Sequence, residues 1–143
     1  MTDRAARWLD LEQRYPRSPI HASLGLTLEV VAPGEALIHY DGSPGAANTV
    51  GHPSGALLAA MVDSAVMQAV LTRLEPEDHT TTLELKINYL RGSAPGGALV
   101  GRGTLEHLGR TTAVGIARIV DATDKVVAIG TVTASVRRSG ATP

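Results

Sequence analysis

The sequence predicts an α+β domain in which an antiparallel sheet of about six strands curls around one long helix. Three observations lead there. The run "GALLAAMVDSAVMQAVL", residues 55–71, is apolar on nearly every helical face, so such a helix must be covered on nearly every side. From Thr80 the pattern changes to period two, the repeat of a strand. The last two strand-like runs carry Ala, Gly, Val and Thr on both faces, which suits a sheet packed closely on each side.

Each element can be justified in order. Asp3 to Tyr15 places Trp8, Leu11 and Tyr15 on one helical face and Arg4, Arg7 and Glu12 elsewhere, giving a short amphipathic helix stopped by Pro16. Leu24–Val31 and Glu35–Asp41 are β-rich runs around "APG", a hairpin signal. "DGSPGAAN", Asp41 to Asn48, is loop by composition. The long helix ends at "EPEDH". In the strand that follows, Leu83, Leu85, Ile87 and Tyr89 point one way and Thr82, Glu84, Lys86 and Asn88 the other. "GSAPGG" then turns the chain into Ala98–His107, Thr111–Asp121 and Lys125–Val136. The expected organisation is one domain over residues 1–143, with a helical extension at 1–18 and a core at 19–136. Open sheet edges and a half-covered face favour a homo-oligomer.

Composition narrows the function. Thirteen Lys and Arg against 14 Asp and Glu give a formal net charge of -1, which offers no electrostatic case for nucleic acid or a membrane surface. With no cysteine, disulfides, thiolate metal sites and a cysteine nucleophile are excluded. His21, His39, His52, His79 and His107 show no metal-ligand spacing. The charged N-terminus does not read as a signal peptide, and the long apolar run is short for a span and holds Asp63, Ser64 and Gln68. A cytoplasmic protein is expected.

Asp63 is the only charged group in that helix. Burying an unpaired carboxylate costs several kcal/mol or forces it to hold its proton, so its presence asks for a reason. The order of elements, together with "NTVGHPSGALLAAMVDSA", resembles the hotdog fold, and within it acyl-CoA thioesterases of the phenylacetate-pathway (PaaI-like) type. Members carry an Asn in the loop before the helix, a His-Gly-Gly at its start and an Asp two turns in. Asn48 matches the Asn, Gly55 the first Gly and Asp63 the Asp; Thr82 takes the place of a hydroxyl residue that assists in some members. Ser54 stands where the family has His and Ala56 where it has the second Gly, and His52 lies two positions early.

The resemblance implies hydrolysis of an acyl-CoA or aryl-CoA thioester, with coenzyme A as part of the substrate and no separate cofactor or metal. In that reading the Gly55 N–H polarises the carbonyl, since the first helical amides lack partners and the dipole favours negative charge. Asp63 then acts as general base or as nucleophile. Asn48 and Thr82 are candidates to orient water, His52 and Ser54 to line the entrance, and Arg91 and Arg110, with Arg102, to meet nucleotide phosphates. Each has a plainer reading: a turn-forming Asn, an ordinary strand Thr, a helix-capping Ser, solvated arginines. Geometry adds a constraint. Gly55 and Asp63, eight residues apart, lie ~12 Å apart along one helix, so a single carbonyl meets both only if they come from different chains. A dimer, or a dimer of dimers, is therefore required. The alternatives are a hotdog hydratase or dehydratase and a non-catalytic acyl-CoA-binding protein. Trp8, Met61 and Met67 are candidates to shape an acyl pocket.

Overall fold

The structure, a computed structural model, describes residues 3–140; the outermost residues of the expected extension and tail, 1–2 and 141–143, lie outside them. Helix α1 (Asp3–Arg14) buries Leu11 and passes into a 3-10 turn, Tyr15–Arg17, where Pro16 ends the α-helical hydrogen bonding. A short helix α2 (Pro19–Leu24) follows, with Pro at its start and Gly25 past its end at φ 68°. The sequence carried both signals, yet Leu24 was expected to open a strand; it ends a helix instead. Strand β1 begins two residues later (Leu26–Ala32) and turns into β2 (Glu35–Tyr40).

The long helix α3 (Gly55–Leu71) then leads to β3 (His79–Tyr89), β4 (Leu99–Leu108), β5 (Thr112–Asp121) and β6 (Val126–Arg137). All six strands form one antiparallel sheet in the order β1-β2-β4-β5-β6-β3. Because α3 carries the chain across the sheet, β3 ends up on the far edge beyond β6. This is the hotdog fold that the resemblance implies.

The sheet wraps α3 closely because its strands use small residues where they cross it. A side-chain carbon at Gly103 would run into the Ala65 carbonyl, and one at Gly115 would come within 2.5 Å of Val66. With these glycines in place, Leu57, Met61, Val62, Ala65, Val66, Ala69 and Val70 are all fully buried. Each large aliphatic side chain so buried contributes about 1.5–3 kcal/mol. The cover is not complete, however. Ala56, Ala60, Asp63 and Met67 follow one another at helical spacing and stay exposed or half-buried, so one stripe of α3 lies open.

The alternation read along β3 also needs correction. Thr82 pairs with Ala134 and Glu84 with Thr133, so Leu83 is an extra residue, a β-bulge. Below the bulge the phase flips. Thr82 therefore shares the helix-facing side with Leu85 and Ile87, while Leu83 is 62 % exposed. Regular period-two counting had placed Thr82 on the opposite side.

Candidate active site

Asp63 sits on the open stripe of α3, half-buried, with a directed partner. The Thr82 hydroxyl donates to Asp63 Oδ1 at 2.7 Å. The bulge at Leu83 makes this contact possible, since it turns Thr82 toward the helix. A charge-assisted bond of this length fixes the carboxylate's orientation and leaves Oδ2 without a hydrogen bond among the described residues. Both residues line a cavity of about 580 Å³ between α1, α3 and the start of β3. Arg7, Arg14, His21, Ser64, Met67, Gln68 and His79 contribute to its wall.

The start of α3 forms a second cluster. Ser54 caps the helix, accepting from the Leu57 N–H at 3.1 Å, and Leu58 N–H reaches the Ser54 carbonyl. Among the described residues the N–H groups of Gly55 and Ala56 have no acceptor, and both residues are exposed. The Tyr89 hydroxyl donates to the Gly55 carbonyl at 2.9 Å, and its ring would lie 3.4 Å from any side-chain carbon at position 55. That is ordinary van der Waals contact, so Tyr89 would tolerate a side chain here; glycine's effect is to leave the amide pair uncovered.

The preceding loop is held by its own polar groups. Asn48 Oδ1 accepts from the Val50 and His52 N–H groups at 3.0 and 3.1 Å, the work of a turn-forming Asn. Its side-chain NH2 has no partner among the described residues. His52 Nδ1 donates to the Ser93 carbonyl at 2.7 Å, which ties the loop to the segment after β3 and leaves Nε2 without a hydrogen bond among the described residues.

A model of the family described as "Thioesterase superfamily" matches residues 50–128, more than half of the chain. The chain belongs to the thioesterase superfamily. A mutant of the phenylacetic acid degradation protein PaaI from Thermus thermophilus is similar at 29 % identity, with TM-score 0.74, over 82 % of this chain and 98 % of that one. A thioesterase from Haemophilus influenzae, at 19 % identity, shares the fold with TM-score 0.84 over 94 % of this chain and 92 % of that one. The PaaI protein of E. coli, at 20 % identity, does so with TM-score 0.82 over 99 % of each chain. No curated protein matches the chain. Thioester hydrolysis is the chemistry for which this superfamily is named. No helix among the described residues is long and apolar enough to cross a membrane.

Within this thioesterase-superfamily chain, the residues singled out in the sequence fall into separate groups. Asp63 and Thr82 meet at mid-helix, while Asn48, His52, Ser54 and Gly55 gather at the helix start, about 12 Å away along the axis. Arg91 and Arg110 are not brought together. The Arg91 N–H bonds Val127 and the residue after Arg110 bonds Val136, nine residues apart on β6, or roughly 30 Å. Of the candidate pocket residues, Met67 lines the cavity, whereas Met61 is fully buried in the core.

Two residues of the N-terminal segment escaped the sequence reading. Arg7 enters the cavity wall, and Tyr15, only 4 % exposed, approaches Asp63 closely enough to feel its charge. Burial pushes the Tyr15 pKa up to about 12, Ser64 pulls against this without the alignment of a hydrogen bond, and the Asp63 charge adds to the rise. The phenol therefore keeps its proton at every physiological pH. The available signal was the amphipathic pattern of α1, which named a buried face but not its neighbour.

Proposed function

We propose that this protein hydrolyses acyl-CoA or aryl-CoA thioesters to the free acid and coenzyme A, at a site shared by two chains. The observation that carries the reading is the Asp63–Thr82 pair, a carboxylate oriented by a hydroxyl on the wall of a substrate-sized cavity. The amides at Gly55 and Ala56 of the partner chain would hold the carbonyl oxygen, where negative charge develops as the carbonyl carbon becomes tetrahedral. Asp63 takes the proton of the attacking water, or itself attacks to form an anhydride that water cleaves. Collapse breaks the carbon–sulfur bond, and the thiolate of coenzyme A leaves with a proton. No further cofactor is needed for this balance.

Two features support the shared site. Eight residues separate Gly55 from Asp63, too far for one carbonyl to touch both at about 3 Å. The surfaces a second copy would need are also present: β3 is an edge strand, Leu83, Tyr89 and Leu90 are more than half exposed, and the stripe around Asp63 is uncovered. A homodimer, alone or paired into a tetramer, follows from this reading.

The test is release of free thiol from a panel of acyl- and aryl-CoAs. Thiol release that is lost in Asp63→Asn supports the reading. Hydration of an enoyl-CoA without thiol release would assign a hydratase instead, and tight CoA binding without turnover a binding protein.

A further inference from the structure

We infer that the cavity beside Asp63 selects acyl groups whose far end carries a carboxylate, and that Arg7 of helix α1 is the residue that reads it. The inference rests on the thioesterase reading of Asp63 and names the substrate class of that same site.

The charges around the cavity can be matched one by one. Asp78, nearly fully buried, accepts from Arg138 at 2.9 Å and from the Ser139 and Glu75 amides. Arg14 is paired with Asp10 at 2.9 Å on the exposed side of α1. Asp63 is held by Thr82. That leaves Arg7, which has no carboxylate within ion-pair distance among the described residues. Its one hydrogen bond runs from Nη2 to the Leu71 carbonyl at 3.3 Å, and its Nε is buried with no partner. A guanidinium with a buried, unused donor is costly unless an acceptor arrives.

Its neighbours repeat the pattern. The three buried side-chain polar atoms without a partner among the described residues are Arg7 Nε, Trp8 Nε1 and the Tyr15 hydroxyl. All three are donors, and all belong to the N-terminal segment that packs on α3. Tyr15 lines a smaller cavity of about 170 Å³ whose wall shares Arg14, His21, Gln68 and Leu71 with the larger one. Of these three residues Arg7 lines the larger cavity, where its guanidinium discriminates by staying without an anionic partner when the wrong acyl group enters. A plain hydrocarbon tail would leave Arg7 as it is; a carboxylate would accept from it in the bidentate geometry that guanidinium favours.

The position of Arg7 also sets a length. It is anchored at Leu71, eight residues beyond Asp63 on the same helix, or about 12 Å along the axis. An acyl chain whose thioester carbonyl lies at Asp63 therefore has room for a medium-length spacer before its end meets Arg7. Monothioesters of straight-chain dicarboxylic acids fit this description.

The experiment compares suberoyl-CoA with octanoyl-CoA, equal in length and different only at the tip, in the wild-type protein, Arg7→Met and Arg7→Lys. The wild type should favour suberoyl-CoA in kcat/KM by roughly tenfold or more. In Arg7→Met suberoyl-CoA should lose roughly tenfold more than octanoyl-CoA, mainly through KM, with partial recovery in Arg7→Lys. Loss of both substrates by the same factor, or a wild-type preference for octanoyl-CoA, would overturn the inference. Binding of the uncleavable thioethers S-(7-carboxyheptyl)-CoA and S-octyl-CoA reads selection without turnover. If the carboxylated thioether binds more tightly to the wild type and loses that advantage in Arg7→Met, the inference holds even where no thioester is cleaved, and only the hydrolytic reading falls. Equal binding of the two sinks the inference even where thiol is released.

Discussion

The two faces of α3 are built from similar small and aliphatic residues and do different work. The face toward β4, β5 and β6 is sealed: Val62, Ala65, Val66 and Ala69 are fully buried, and the sheet crosses them with glycine. The opposite stripe repeats the same palette with Ala56 and Ala60, then inserts Asp63 and Met67 and stays open. On the sealed face a change of one methyl group alters packing energy and nothing else. On the open face the carboxylate has a cavity and a hydroxyl beside it, so on the proposed function a change there should alter chemistry while the core hardly notices. On that reading one helix separates stability from function by about half a turn.

That comparison can be broken or sharpened by mutation. Asp63→Asn removes the acid–base group and keeps the shape. Thiol release should fall on the order of 10²–10⁴-fold while the melting temperature stays close to wild type. A large drop in melting temperature would instead make Asp63 a structural residue. Gly115→Val tests the sealed face in the opposite sense. The added carbons meet Val66, so stability should drop by about 1–3 kcal/mol in a denaturant titration. Thr82→Val should lower kcat roughly tenfold by freeing the carboxylate to rotate, again with little change in stability; unchanged kcat would remove Thr82 from the site.

A comparable effect, on stability alone, belongs to Asp78, beside the cavity but spent on structure. The Ser139 amide first, and the Arg138 guanidinium after it, hold its carboxyl below the usual carboxylate range. A lowered folded pKa contributes stability above the unfolded value and loses it as pH falls through the folded value. Asp78→Asn should therefore be less stable than wild type by about 1–2 kcal/mol at neutral pH. The gap should begin to narrow as pH falls below about 4 and should close only below the lowered folded value. A gap of undiminished size at about pH 3 would show that the carboxylate's charge is not what matters.

Much of this was legible in the sequence because it rests on local rules. The apolar period of residues 55–71 and the turn signals between strands act within a few residues of themselves. They gave a sheet curled about one long helix at its true bounds, with an acid at its centre; the hotdog name came from the family resemblance carried by Asn48, Gly55 and Asp63. What stayed hidden depends on pairing between distant segments. The bulge at Leu83 exists only relative to β6, so counting along β3 alone sends Thr82 to the wrong side. The open stripe on α3 depends on where the sheet stops, which hydrophobicity does not encode. Arg7 looks like any solvated arginine until α1 is laid against the end of α3. Helix α2 was missed for a different reason: its six residues make too short a pattern to outweigh the apolar run that follows.

The account stands or falls on whether Gly55 and Asp63 work together from different chains. The most direct test mixes two variants, Asp63→Asn and Gly55→Pro. Proline fits the first position of a helix and removes the N–H, and Ser54 already has the extended backbone, ψ 154°, that a following proline demands. Each variant alone should release little thiol. Unfolded and refolded together, they should form mixed dimers with one intact pairing, recovering about a quarter of wild-type activity under random association. A mixture as inactive as its components would contradict the shared site.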